Sequence, residues 1–505
     1  MGSMNEKLQT LKQKLADIND IRAAISVLQW DQSVYMPNGG AAARGRQMAT
    51  LGRIAQEMFI DDEIGRLLDD LKPYEESLPY GDADASLLRV TRRSYERSIK
   101  VPPQLVAELT AHVTSTYQQW ATARPNNDFA SLIPALEKTV ALSREIAQKF
   151  DHKHIADPLI DSSDYGMTAE STRKLFADLR SELVPIVAQI SERPSIDTSV
   201  LHRSYPIDAQ RAFGEMVIKQ FGYDFERGRQ DLTLHPFMTK FSLGDVRITT
   251  RFQEKDIGDG LFSTLHESGH AMYELGINPA FEGTILANGT SSGVHESQSR
   301  LWENIVGRSY PFWQHYYPQL QTAFADQLSD VSLDQFYRAI NRVSPSLIRV
   351  DADEVTYNLH VMIRFDLELA MLEGSLAVKD LPEAWHARYE SDLGMRAPDN
   401  RDGVMQDVHW FGGLVGGVFQ GYTLGNVMSA AFYEQALLAE PNISAEIGQG
   451  KFDTLHGWLK DNIYQHGATY TAPELVERVT GGELTITPYI NYLKKKFGAL
   501  YDLSL

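Results

Sequence analysis

No cysteine occurs among the 505 residues. That excludes disulfides, a thiol nucleophile and thiolate-held metal, and it fits a reducing compartment. Positive charge is scarce: 48 Lys and Arg stand against 67 Asp and Glu, a formal net charge of -19 at pH 7. A chain this acidic lacks the basic footprint of sequence-independent nucleic-acid binding, and it repels strongly acidic substrates at long range. Long apolar runs are missing too. The longest, around residues 412–419, is short and glycine-rich, so the sequence offers no membrane span. Met1-Gly2-Ser3 reads as an expression scar ahead of Met4, and the polar stretch after it has no apolar signal core. Glu6 stands where a myristoylation signal needs Ser or Thr. Repeats, low-complexity tracts and long flexible linkers are also lacking. The expectation is a soluble cytoplasmic protein that binds neither nucleic acid nor membrane.

Most of the chain reads at helical period. Leu8, Leu11, Leu15, Ile18, Ile21 and Ile25 recur three or four apart, as do Leu105, Leu109 and Val113. One segment alternates instead. Over residues 245–252, Val246, Ile248, Thr250 and Phe252 alternate with Arg247, Thr249 and Arg251, which predicts a strand with the first set inward and the second outward. A helix is predicted to follow from near Leu261, with Asp259 as its cap. The fold expected is mainly α, one unit over residues 4–505. Its parts would be an N-terminal helical lobe (about 4–230), a catalytic core (about 231–430) and C-terminal helices (431–505).

The predicted helix carries His266-Glu267-Ser268-Gly269-His270, an H-E-x-x-H motif. Residues four apart share a helix face, so both imidazoles can reach one ion from a single rigid element. Glu267, beside the first histidine, can hold the attacking water and act as general base. A catalytic zinc site normally has three protein ligands and one open position. Glu296, 26 residues past His270, is the candidate third ligand, on a helix capped by Ser291 or Ser292 and ended by Gly307. Glu274, four past His270, is a rival that we assign to the surface or to ligand support.

In chain order, Trp30-Asp31-Gln32, Met36-Pro37, His235-Pro236-Phe237, Asp245-Val246-Arg247-Ile248-Thr249 and the H-E-x-x-H appear. His295-Glu296-Ser297-Gln298, Ile348-Arg349-Val350-Asp351-Ala352-Asp353 and Gly403-Val404-Met405-Gln406-Asp407-Val408-His409-Trp410 follow. In this set the chain resembles the carboxypeptidase Taq family of metallocarboxypeptidases. The resemblance implies a large helical peptidase with a deep central cleft and a small β element beside the zinc helix, similar to the neurolysin and angiotensin-converting-enzyme group. It implies release of single C-terminal residues with broad specificity, zinc replaceable by cobalt or manganese, and a homodimer.

Peptide hydrolysis also needs a donor for the developing oxyanion and a group for the substrate's free carboxylate. Tyr422, with His409 second, is the candidate donor; a tyrosine whose hydroxyl is merely satisfied in the core is the rival reading. Arg349, then Arg247, are the candidates for the carboxylate, although Asp351, Asp353 and Asp245 lie close enough in sequence to make plain ion pairs. His235, His295 and Asp407 are expected to orient ligands or substrate. The alternatives are a dipeptidyl carboxypeptidase or oligoendopeptidase of the same helical class, or a non-catalytic binding protein.

Overall fold

The computed structural model describes residues 2–505, so Met1 of the expected scar lies outside the described residues, and side chains are described from residue 4. Helices dominate, with one three-stranded sheet among the described residues: β1 (Gln230–Leu232), β2 (Phe237–Ser242) and β3 (Asp245–Thr250). The strand order is β1-β3-β2. β3 runs parallel to β1, with Gln230 opposite Ile248, and antiparallel to β2, with Lys240 opposite Val246.

The predicted strand is therefore present, and Val246, Ile248 and Thr250 are fully buried as expected. Thr249 is buried as well rather than outward, because its hydroxyl exchanges hydrogen bonds with the backbone of Phe237 on β2. The motif helix is Ile257–Leu275 and starts earlier than predicted. Asp256 caps it, accepting from the N–H groups of Gly258 and Asp259, an arrangement that contributes about 1 kcal/mol. Asp259 is instead taken by Arg251 in a two-bonded ion pair.

The apolar side chains form two clusters. One joins Leu8, Leu11, Leu15, Ile64, Leu68 and Leu88 of the first helices to Ile277, Phe281 and Leu286. The other runs from Leu105 to Tyr501, so helices between residues 103 and 221, expected with the N-terminal lobe, pack in the main core. The first helix (Gly2–Val34) lies on β2, and Tyr35 just after it donates to Asp231 of β1. The motif helix is buried within the larger cluster through Leu261, Leu265 and Met272. Truncating Leu265, which is fully buried, costs about 2–5 kcal/mol on general grounds. That packing makes the helix a rigid support for its histidines.

Candidate active site

Two glycines let the third ligand, Glu296, reach the histidines. The glutamate helix, Ser292–Arg300, begins at Ser291, whose hydroxyl accepts from Val294 N–H. It crosses the motif helix at Gly269, where an added Cβ would lie 2.5 Å from the Gln298 carbonyl oxygen. On its other side the helix Phe419–Ala439 presents Gly425, where a Cβ would fall 2.6 Å from Cβ of Glu296. Any larger side chain at either position would push the glutamate helix away. Past Arg300 the helix widens into a π-helical segment, Leu301–Val306, that ends at Gly307.

This packing brings His266, His270 and Glu296 together, with one donor atom from each within 4.8 Å of the others. Glu296 Oε2 lies 3.7 Å from Nε2 of His266 and 3.4 Å from Nε2 of His270. Tetrahedral bonds of about 2.0–2.1 Å separate donors by roughly 3.3 Å, so these spacings fit a small divalent ion with little adjustment. The donor chemistry fits as well, since two imidazoles and a carboxylate suit such an ion. Burial holds His270 down to about 4, in the neutral form that binds metal. Burial works against charge on Glu296, but Arg300 and the two histidines outweigh it and hold its pKa far below the usual carboxylate range.

Each of these groups is fixed by others. His266 Nδ1 meets Glu303 Oε2 at 2.9 Å, Arg300 Nε donates to Glu296 Oε1 at 2.7 Å, and Ser299 Oγ donates to Glu296 Oε2. Arg300 also reaches Glu303, and its guanidinium lies over the Tyr357 ring. His270 Nδ1 meets His295 Nδ1 at 2.7 Å, and His295 continues to Glu274, which is buried rather than on the surface. Sequence reasoning missed Glu303, Arg300 and Tyr357. A signal existed for the first two: residues 296, 300 and 303 share one helix face at i, i+4 and i+7.

Glu267 is buried and has no hydrogen-bond partner among the described residues. Burial pushes its carboxyl up to about 7, the range a general base needs. It opens, with His266, Arg300, Arg349 and Tyr357, onto a cavity of about 610 Å³. Arg349 is buried; its Nε donates to Asp407 Oδ2 at 2.6 Å and its Nη1 to the Tyr357 hydroxyl at 2.9 Å. Asp407 Oδ1 accepts from Nδ1 of His409, whose Nε2 lies 3.4 Å from the Tyr422 hydroxyl. Arg349, on the cavity wall, thus starts a chain that runs through Asp407 and His409 to Tyr422.

The remaining two expected residues lie elsewhere. Arg247 is doubly bonded to Asp245 and stacked between Trp30 and Phe241. His235 is exposed in the loop between β1 and β2, with no hydrogen bond to the histidine cluster.

The helical fold and this half-buried donor set define a metallopeptidase. The chain matches the model of the Carboxypeptidase Taq (M32) metallopeptidase family over residues 10–497, and it belongs to that family. Thermostable carboxypeptidase 1 of Thermus thermophilus is 42% identical over 487 residues, covering 94% of each chain. The crystal structure of an M32 carboxypeptidase from Deinococcus radiodurans R1 superposes with a TM-score of 0.96 at 47% identity, covering 99% of this chain and 100% of that one. A Pyrococcus furiosus carboxypeptidase structure gives 0.94 at 32% identity, over 97% and 99%.

Proposed function

We propose that the protein is a zinc-dependent carboxypeptidase that releases single residues from the free C-termini of peptides. The observation that carries this reading is the convergence of His266, His270 and Glu296 beside an unpartnered Glu267 on the wall of a cavity that also holds Arg349. A bound ion supplies Lewis-acid polarisation of the scissile carbonyl and acidifies the attacking water. The protein's groups do the rest. Glu267 takes the proton of the water on its carboxylate and passes it to the leaving amine. Tyr422, with His409 behind it, donates to the oxyanion as charge develops there.

Arg349 holds the substrate carboxylate. Its guanidinium has five donors, of which Asp407 and Tyr357 take two, so a bidentate pair remains available. Asp407 shares its two oxygens between Arg349 and His409, which ties carboxylate recognition to the oxyanion donor. Arg247 and His235 we keep as contacts for a longer peptide, Arg247 from β3 and His235 from the loop before β2.

Cobalt or manganese should serve in place of zinc. Cytoplasmic location is supported by the cysteine-free sequence, and no helix of the described residues is long and apolar enough to cross a membrane. The homodimer rests on family resemblance. Chelation followed by add-back tests the metal: activity should vanish with a chelator and return with zinc, cobalt or manganese. Activity that survives complete metal removal would refute the reading.

A further inference from the structure

The two metal-facing histidines are held in different ways. His266 meets a carboxylate directly, whereas His270 meets a second imidazole. From there a chain of contacts leads away from the cavity. Nε2 of His295 lies 2.9 Å from Glu274 Oε1, which also accepts from Gly289 N–H at 2.9 Å. Glu274 Oε2 accepts from Lys240 Nζ at 2.6 Å. That ammonium also reaches the Ala287 carbonyl and, at 3.0 Å, Oδ1 of Asn288. Glu274 is 4% exposed, Lys240, Gly289 and His295 are half-buried and Asn288 is exposed, and four segments meet here: β2, the motif helix, the loop at 285–290 and the glutamate helix.

The proton directions follow from donor and acceptor chemistry. An ionised carboxylate only accepts, so Nε2 of His295 must carry its hydrogen, and a neutral His295 then has Nδ1 free to accept. Nδ1 of His270 is therefore the donor across the 2.7 Å contact. Its Nε2 is left with a lone pair, and that atom is the one 3.4 Å from Glu296 in the donor cluster. The Lys240 ammonium balances the charge on Glu274 and fills its second oxygen, so the carboxylate has no reason to turn away from His295. The tautomer of one metal-facing histidine is thus set two residues away, by a carboxylate clamped from a strand.

Building on the metal centre proposed above, we propose that Glu274 and Lys240 are positioning residues of that centre. Through His295 they fix His270 as the Nδ1–H tautomer, and so raise the affinity for the metal ion. Partners of this kind typically change metal affinity 10- to 100-fold.

The test is a zinc dissociation constant by chelator competition on the full chain, with no peptide present, for the parent, Glu274→Gln and Lys240→Met. Glutamine keeps the size of Glu274 but can present N–H where an oxygen accepted, which turns His295 round and removes the acceptor from His270. Zinc binding should weaken about 10- to 100-fold in Glu274→Gln, and by about 3-fold or more in Lys240→Met, where His295 and Gly289 still hold the carboxylate. The visible spectrum of the cobalt form should change in band position or intensity in Glu274→Gln. Thermal unfolding of the metal-free proteins separates a purely structural role, which lowers the midpoint and leaves the dissociation constant alone. If Glu274→Gln does not fold, Lys240→Met decides. Constants within about two-fold of the parent, with an unchanged cobalt spectrum, would overturn the proposal, as would a parent that binds no zinc. A parent that binds zinc tightly but leaves peptides intact would refute the peptidase reading and leave this one standing.

Discussion

Replacing Arg349 by lysine separates substrate recognition from structural support. Alanine would remove one of three partners of the half-buried Asp407, leaving His409 and Arg364, and would confuse lost packing with lost function. Lysine keeps a cation near Asp407 but loses the planar fork. A substrate carboxylate held by two charged hydrogen bonds gains about 1.5–3 kcal/mol from each. Losing the bidentate geometry should remove about 2–3 kcal/mol, or roughly 30- to 150-fold in kcat/KM. The assay compares a peptide with a free C-terminus and its amidated twin, with thermal unfolding of each variant as the control. The free peptide should lose that factor and the amidated twin, which never used the fork, should change less than about 3-fold. An equal loss on both peptides would refute the reasoning and make Arg349 a structural ion pair.

Three other outcomes follow. Tyr422→Phe should lower kcat by about 100- to 1,000-fold with little change in KM, as removal of an oxyanion donor does; a change in KM alone would count against that role. Glu267 must be ionised to act as base, and burial raises its pKa to about 7, while a nearby divalent cation pulls it back toward the ordinary 4.5. The acid limb of kcat/KM should therefore fall between those values, and a profile flat down to pH 4 would exclude Glu267 as the titrating base. Glu368 is buried against Trp410 Nε1, and burial raises its carboxyl to about 8. A folded value above the unfolded one means that stability falls as pH rises from about 4.5 toward 8. Glu368→Gln should flatten that fall in thermal unfolding between pH 5 and 8, and an unchanged slope would contradict the assignment.

How far the sequence disclosed this site depends on which contacts are local. His266 and His270 were legible because four residues on a helix fix their geometry whatever surrounds them. Glu296 was legible as a third donor needed by the first two, but the reason it reaches them, Gly269 against the Gln298 carbonyl, is a tertiary contact. The helix start was misread because two aspartates precede it, and only the folded strand shows that Arg251 claims Asp259 and leaves Asp256 as the cap. Thr249 was misread in the same way, since alternation describes one face of a strand but not the partner strand that covers the other. Glu274 was left open between the surface and ligand support because the partners that decide for support, His295, Gly289 and Lys240, lie between 15 and 34 positions away.

The most direct test of the central claim is a timed mass-spectrometric digest of a free peptide and its C-terminally amidated twin, with zinc or cobalt added and Glu267→Gln as control. The account predicts a ladder that loses one C-terminal residue per step, far faster from the free peptide than from its amidated twin, and no ladder from the control. Internal cuts, dipeptide steps or equal cleavage of the amidated twin would contradict it.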